Sequence, residues 1–160
     1  TDPYYKRDYW RRGPKEQDVE GVYFLAPDHK TLTRVADDLK RPNGITGTPD
    51  GRTLYVADIA AGRTYAYDIR RDGSLANKRL FCEAGSDGMT IDAQGNLYLT
   101  GEGVLVFDKA GRRIATIEVP ERPANVCFGG KDRKTLFITA RTGLYSVRMR
   151  TRGVDDHGGK

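Results

Sequence analysis

The chain has 160 residues, of which 27 are Lys or Arg and 22 are Asp or Glu, giving a net charge of +5 with 38% hydrophobic and 31% charged residues. That balance suits one folded domain and excludes a disordered chain. No apolar run approaches the roughly 18 residues of a membrane span, and the mild positive excess, with acids interspersed throughout, does not point to nucleic acid.

The chain opens on TDPYY (1–5), read as a strand, and continues into a block that mixes Tyr4, Tyr5, Tyr9 and Trp10 with Lys6, Arg7, Arg11 and Arg12. Such interleaving suits single-stranded nucleic acid, and equally a loop that covers a binding mouth and lines it with aromatics. GVYFLA (21–26) is the next strand, followed by the polar turn Pro27, Asp28, His29 and Lys30. Three later segments, TLYVAD (53–58), NLYLTG (96–101) and TLFITA (135–140), read almost as copies, with Leu54, Leu97 and Leu136 spaced by 43 and 39 residues. Each follows a turn, TPDGR (48–52), DAQG (92–95) or GKDRK (130–134), and precedes a further strand, TYAYDI (64–69), GVLVFD (103–108) or GLYSVRM (143–149). Val22 to Tyr65 is again 43, so GVYFLA belongs to a partial earlier copy.

Repeats of about 40–45 residues with some four strands each signal a β-propeller, whose blades bury their faces only by stacking. The WD40 type is disfavoured because no Gly-His and Trp-Asp pair appears. The expected architecture is all-β, a partial propeller over residues 1–152 with about three and a half blades, and a polar, disordered tail over 153–160. A closed ring needs at least about four blades, so further blades are expected before Thr1. Arg148, Arg150 and Arg152 alternate along the last strand and should share one solvated face.

Cys82 and Cys127 lie beside apolar residues and are expected to be small buried hydrophobes; their separation of 45 suits neither a zinc site nor a disulfide framework. His29 and His157, the only histidines, fall in polar segments, which excludes a histidine-built zinc site and a Ser/His triad; the G-x-S-x-G elbow is also missing. Asn43-Gly44 precedes Leu54 by 11 residues and Asp87-Gly88 precedes Leu97 by 10, so they occupy equivalent places one blade apart. Both should project toward the channel axis. An amide oxygen and a carboxylate converging there favour a hard, oxygen-preferring cation such as Ca2+. Asn-Gly and Asp-Gly are also ordinary turn dipeptides, so a purely structural role stays open. Asn125, 11 before Leu136, shares the blade position and could reach the channel as a substrate donor, whereas Asp92 belongs to a strand-ending turn.

The stretches RPNGITGTPDGRTLYVAD (41–58), SDGMTIDAQGNLYLT (86–100) and NVCFGGKDRKTLFITA (125–140) resemble, in order and spacing, the C-terminal half of the gluconolactonase family, which includes regucalcin (senescence marker protein) and luciferin-regenerating enzyme. The resemblance covers about residues 21–150, and TDPYY matches a further family strand. It implies a six-bladed propeller of the lactonase type with one divalent cation on its axis, most simply Ca2+, with Zn2+ or Mg2+ as alternatives. It implies a metal-dependent hydrolase that opens sugar lactones. Asn43 and Asp87 match metal ligands, and Asp87 also matches the proposed general base. The family's other ligands, a glutamate and a second asparagine, would fall before Thr1. The alternatives are a non-catalytic calcium-binding or partner-binding propeller and an organophosphate ester hydrolase on the same frame. The expected partner is a small lactone, with no nucleic acid and no membrane. An open half-ring would also expose blade faces and drive self-association or pairing with an N-terminal half. The chain shows no signal-peptide pattern, and the sequence assigns no compartment.

Overall fold

Short runs of Val, Leu, Tyr and Thr bounded by Gly and Asp turns have no helical period, and in the computed structural model, which describes residues 1–11 and 13–154, they form strands only. The strands are β1 (Val22–Leu25), β2 (Leu32–Ala36), β3 (Pro42–Gly47), β4 (Thr53–Asp58), β5 (Arg63–Ile69), β6 (Leu75–Cys82), β7 (Met89–Ile91), β8 (Leu97–Gly101), β9 (Gly103–Phe107), β10 (Arg113–Ile117), β11 (Pro123–Gly129), β12 (Thr135–Ala140) and β13 (Gly143–Arg148). They make four antiparallel meanders in chain order: a two-stranded sheet β1-β2, four-stranded sheets β3-β4-β5-β6 and β7-β8-β9-β10, and a three-stranded sheet β11-β12-β13. These are propeller blades, about three and a half of them, as the repeat predicts.

Stacking explains the burial pattern. Val22 and Leu39 pack on Val56 and Tyr67 between the first and second sheets. Tyr55, Ala57 and Ala66 meet Met89, Ile91, Leu97 and Leu99 between the second and third. Tyr98, Val104 and Val106 meet Val126, Phe128, Leu136 and Ile138 between the third and fourth. A sheet sandwiched on both faces needs apolar residues on both, and Leu97, Tyr98, Leu99 and Thr100 of β8 are accordingly all buried. β13 has one covered face and alternates strictly between half-buried and exposed. Leu97 and Leu136 are fully buried and Leu54 partly so, all three facing neighbouring blades from equivalent strands.

The edges depart from expectation. Thr1 to Tyr5 form no strand; the Asp2 N–H donates to the Gly21 carbonyl, just before β1, at 3.0 Å. Cys82 is buried as expected, but Cys127 is exposed, because it points from β11 to the face of the fourth sheet that no blade covers. Phe137 and Leu144 share in this exposure at 39% and 71%. β13 ends at Arg148, so Arg150 and Arg152 are exposed but lie beyond the strand. Gly153, assigned by sequence to the tail, is buried and bridges to Asp92, and Val154 packs on the core. The rest of the expected tail, 155–160 with His157, lies outside the described residues.

Candidate functional site

The innermost strands β3, β7 and β11 stand side by side, and their beginnings converge at one end of the propeller. Two of them open with a bulge. In β3 the register shifts between Pro42 and Ile45, so Asn43 sits where the ladder is broken; in β11 it shifts between Pro123 and Asn125, so Asn125 is the first residue to pair, with Thr139, after the break. A bulge bends the strand and re-aims its side chains, here toward the axis. In the blade between them, Asp87 lies just before β7. Glycine lets these strands approach. A Cβ on Gly44 would lie 2.9 Å from the Ser86 carbonyl, to which the Gly44 N–H donates at 3.0 Å. A Cβ on Gly88 would lie 2.1 Å from Asn125 Oδ1.

This proximity joins residues 44 apart in sequence: Asn43 Nδ2 donates to Asp87 Oδ1 at 2.8 Å. The same Nδ2 donates to the Tyr5 hydroxyl at 2.8 Å, and the Thr1 hydroxyl donates to the Asn43 carbonyl at 2.9 Å. Asp87 is exposed and Asn43 half-buried. Asn125 stands beside Gly88 but turns its Oδ1 to the N–H of Val126, 2.8 Å away, so it neighbours the pair without joining it.

Beneath Asp87 lies a buried hydroxyl pair that the sequence reading missed. Ser86 Oγ donates to the Gly88 carbonyl at 2.6 Å and accepts from Thr100 N–H at 2.8 Å, while the Gly88 N–H donates to Thr100 Oγ1 at 3.1 Å. Both residues flanking Asp87 are thereby tied to β8, which fixes the aspartate's backbone. The available signal was Thr100, a polar residue at the repeat position that Ala57 fills one blade earlier. Asp92 is structural: its buried carboxylate accepts from Gln94 N–H, Asn96 N–H, Asn96 Nδ2 and the Tyr98 hydroxyl. Burial, followed by the nearby Asp92 charge, pushes the Tyr98 phenol well above its ordinary value.

Asp87 opens into a cleft of about 700 Å³. Its walls come from the same places in successive blades: Ile59, Gly101 and Arg141 at the ends of β4, β8 and β12, and Ser86 and Pro123 at the starts of inner strands. Tyr5 and Arg7 cover one side, so the N-terminal block serves as a loop over the mouth. Tyr9 and Trp10, by contrast, point to solvent at 73% and 40% exposure, packed edge to face on each other.

The family described as SMP-30/Gluconolactonase/LRE-like region matches residues 8–142. The chain belongs to this family. It is 34% identical over 155 residues to a gluconolactonase of Zymomonas mobilis, covering 87% of this chain and 43% of that protein. Among solved structures it resembles a gluconolactonase of Xanthomonas campestris at a TM-score of 0.78 and 33% identity, covering 85% of this chain and 46% of the other. It also resembles a calcium-binding protein, regucalcin, of Agrobacterium tumefaciens at a TM-score of 0.75 and 25% identity, covering 84% and 54%. The chain thus spans about half the length of the relatives it matches.

The pair fits a hard cation in kind, since a carboxamide and a carboxylate in contact supply two oxygen donors once the Asn43 amide turns about its last bond. Among the described residues, no three His, Cys, Asp or Glu side chains gather to hold a metal.

Proposed function

We propose that the protein hydrolyses sugar lactones in a divalent-cation-dependent reaction at the mouth of the Asp87 cleft. The reading rests on one observation: Asn43 and Asp87, the residues that match family ligands, meet at 2.8 Å beside an open cleft. Membership in a family whose relatives include gluconolactonases supports it, and the name of the regucalcin relative, a calcium-binding protein, supports Ca2+ as the cation. When bound, such a cation supplies Lewis acidity toward the lactone carbonyl.

The chain's own residues do the rest. Asp87, exposed to the cleft, takes a proton from the attacking water, so that the new C–O bond forms without building a free hydroxide. The ring C–O bond then breaks, and the departing ring oxygen recovers a proton from Asp87, leaving the hydroxy acid. Asn43 holds the carboxylate in the cation-free site, Ser86 and Thr100 hold its backbone throughout, and Tyr5 closes the near wall.

The test is acid release from glucono-lactone by the protein containing this chain, measured with and without Ca2+, Zn2+ or Mg2+. Cation-dependent turnover lost in Asp87→Asn supports the reading. Ca2+ binding without turnover of any lactone would favour the non-catalytic calcium-binding propeller, and turnover unchanged in Asp87→Asn would remove Asp87 as the base.

A further inference from the structure

We infer that the cleft selects a lactone carrying a second, anionic group, a carboxylate or a phosphate, seated on Arg122 and Arg141; this rests on the lactonase reading for the reacting end only. Three arginines, Arg7, Arg122 and Arg141, line the cleft against a single acid, Asp87. Pro123 of β11 pairs with Ala140 of β12, so Arg122 and Arg141 lie one residue outward on adjacent strands, next to each other at the rim. Arg141 sits in the left-handed region at φ 41°, at the turn into β13.

The acid nearest in sequence does not neutralise them. Glu121 accepts from the Thr142 hydroxyl at 2.8 Å, the Thr142 N–H at 3.2 Å and the Gly143 N–H at 3.0 Å. Its carboxylate ties the chain before β11 to the β12–β13 turn, which holds the two arginines together while leaving their charges unspent. Among the described residues, neither the Arg122 nor the Arg141 guanidinium has a hydrogen bond or ion pair. Strand pairing supplies the contrast. Pro42 pairs with Asp58 at the end of β4 as Pro123 pairs with Ala140 at the end of β12, so Arg41-Pro42 is the counterpart of Arg122-Pro123 two blades earlier. Yet the Arg41 guanidinium lies 5.2 Å from the centre of the Tyr5 ring and its Nε 4.0 Å from Glu20. The same residue type is stacked and paired in one blade and left facing the cleft in the other. Arg7 adds a third charge, held in place by the Tyr9 hydroxyl at 2.9 Å and by the Trp10 ring at 5.4 Å. Unpaired guanidinium forks at a concave rim attract oxyanions and bind them bidentately.

The test is calorimetric titration with three ring-opened acids: gluconate, glucarate with a second carboxylate, and 6-phosphogluconate with a phosphate. We expect glucarate, 6-phosphogluconate or both to bind roughly tenfold or more tightly than gluconate, with the stronger of the two naming the second group. The excess should vanish in the Arg122→Gln/Arg141→Gln double variant and shrink as salt rises from about 0.05 to about 0.5 M. Arg71→Gln, in the distant β5–β6 turn, should keep it. If the double variant does not fold, the two single variants and the salt series carry the same comparison. Equal affinity for all three acids, or an excess that survives loss of both arginines, overturns the inference. Lactone turnover measured in parallel separates the two readings. Turnover with no anion preference overturns this inference alone, while an arginine-dependent preference without turnover upholds it and overturns the lactonase.

Discussion

Gly88 and Asn125, from neighbouring blades, stand so close that a Cβ on the glycine would fall 2.1 Å from Asn125 Oδ1 and 2.7 Å from its Cα. The Asn125 backbone cannot move without shifting β11, so the overlap must distort the segment before β7 that carries Asp87. Gly88→Ala is therefore expected to cost about 1–3 kcal/mol of stability, as overpacking does. Gly47→Ala, where the nearest atom is the Thr53 carbonyl at 3.6 Å, should cost less than about 1 kcal/mol. Urea unfolding of both variants checks the contrast, and equal effects would contradict the close approach at the axis.

Asp87 and Asp92, five residues apart, should separate cleanly in function. Asp87 is exposed, so Asp87→Ala should leave the midpoint of unfolding nearly unchanged while abolishing cation-dependent lactone turnover. Asp87→Asn keeps an oxygen donor but accepts no proton, so it should keep cation binding and lose turnover. Asp92 is buried and takes four hydrogen bonds, and Asp92→Ala leaves those donors unpaired. A loss of about 2–4 kcal/mol is expected there. Parallel assays of turnover and denaturation decide both.

The two thiols differ in the opposite way to their sequence surroundings. Burial pushes the Cys82 thiol up to about 11, whereas Cys127 is exposed. In the native 160-residue chain, a maleimide should label one thiol rapidly, and Cys127→Ser should remove that labelling. Labelling of Cys82 before unfolding would show that the interface between the second and third sheets opens.

Acid stability should report the Asp132–Arg148 pair. The Arg148 guanidinium, with help from the Lys134 N–H, lowers the Asp132 carboxyl from 3.8 to about 2. A depressed acid contributes stability that is present above its unfolded value and lost as pH falls through the folded one. Asp132→Asn should therefore lose that contribution at neutral pH and flatten the unfolding curve between pH 3.8 and about 2, so that variant and parent converge at the acid end. An unchanged acid limb would show that this exposed pair is solvent-screened.

The repeat of Leu54, Leu97 and Leu136 was enough to specify blades, because period-2 alternation and turn residues are local signals and a single blade cannot bury its own faces. Equivalent positions in that repeat also point Asn43 and Asp87 to one place, where they meet. The repeat did not reveal what lies between the copies. Ser86 and Thr100 clamp the aspartate through bonds between β8 and the start of β7, and nothing in their local sequence marks them as partners. Arg41 and Arg122 sit in the same Arg-Pro dipeptide, and only the tertiary packing pairs one with Tyr5 and Glu20 and leaves the other facing the cleft. Cys127 has an apolar neighbourhood in sequence and an open face in space. Sequence period fixes which side of a strand a residue is on; whether another blade covers that side is a long-range fact of stacking.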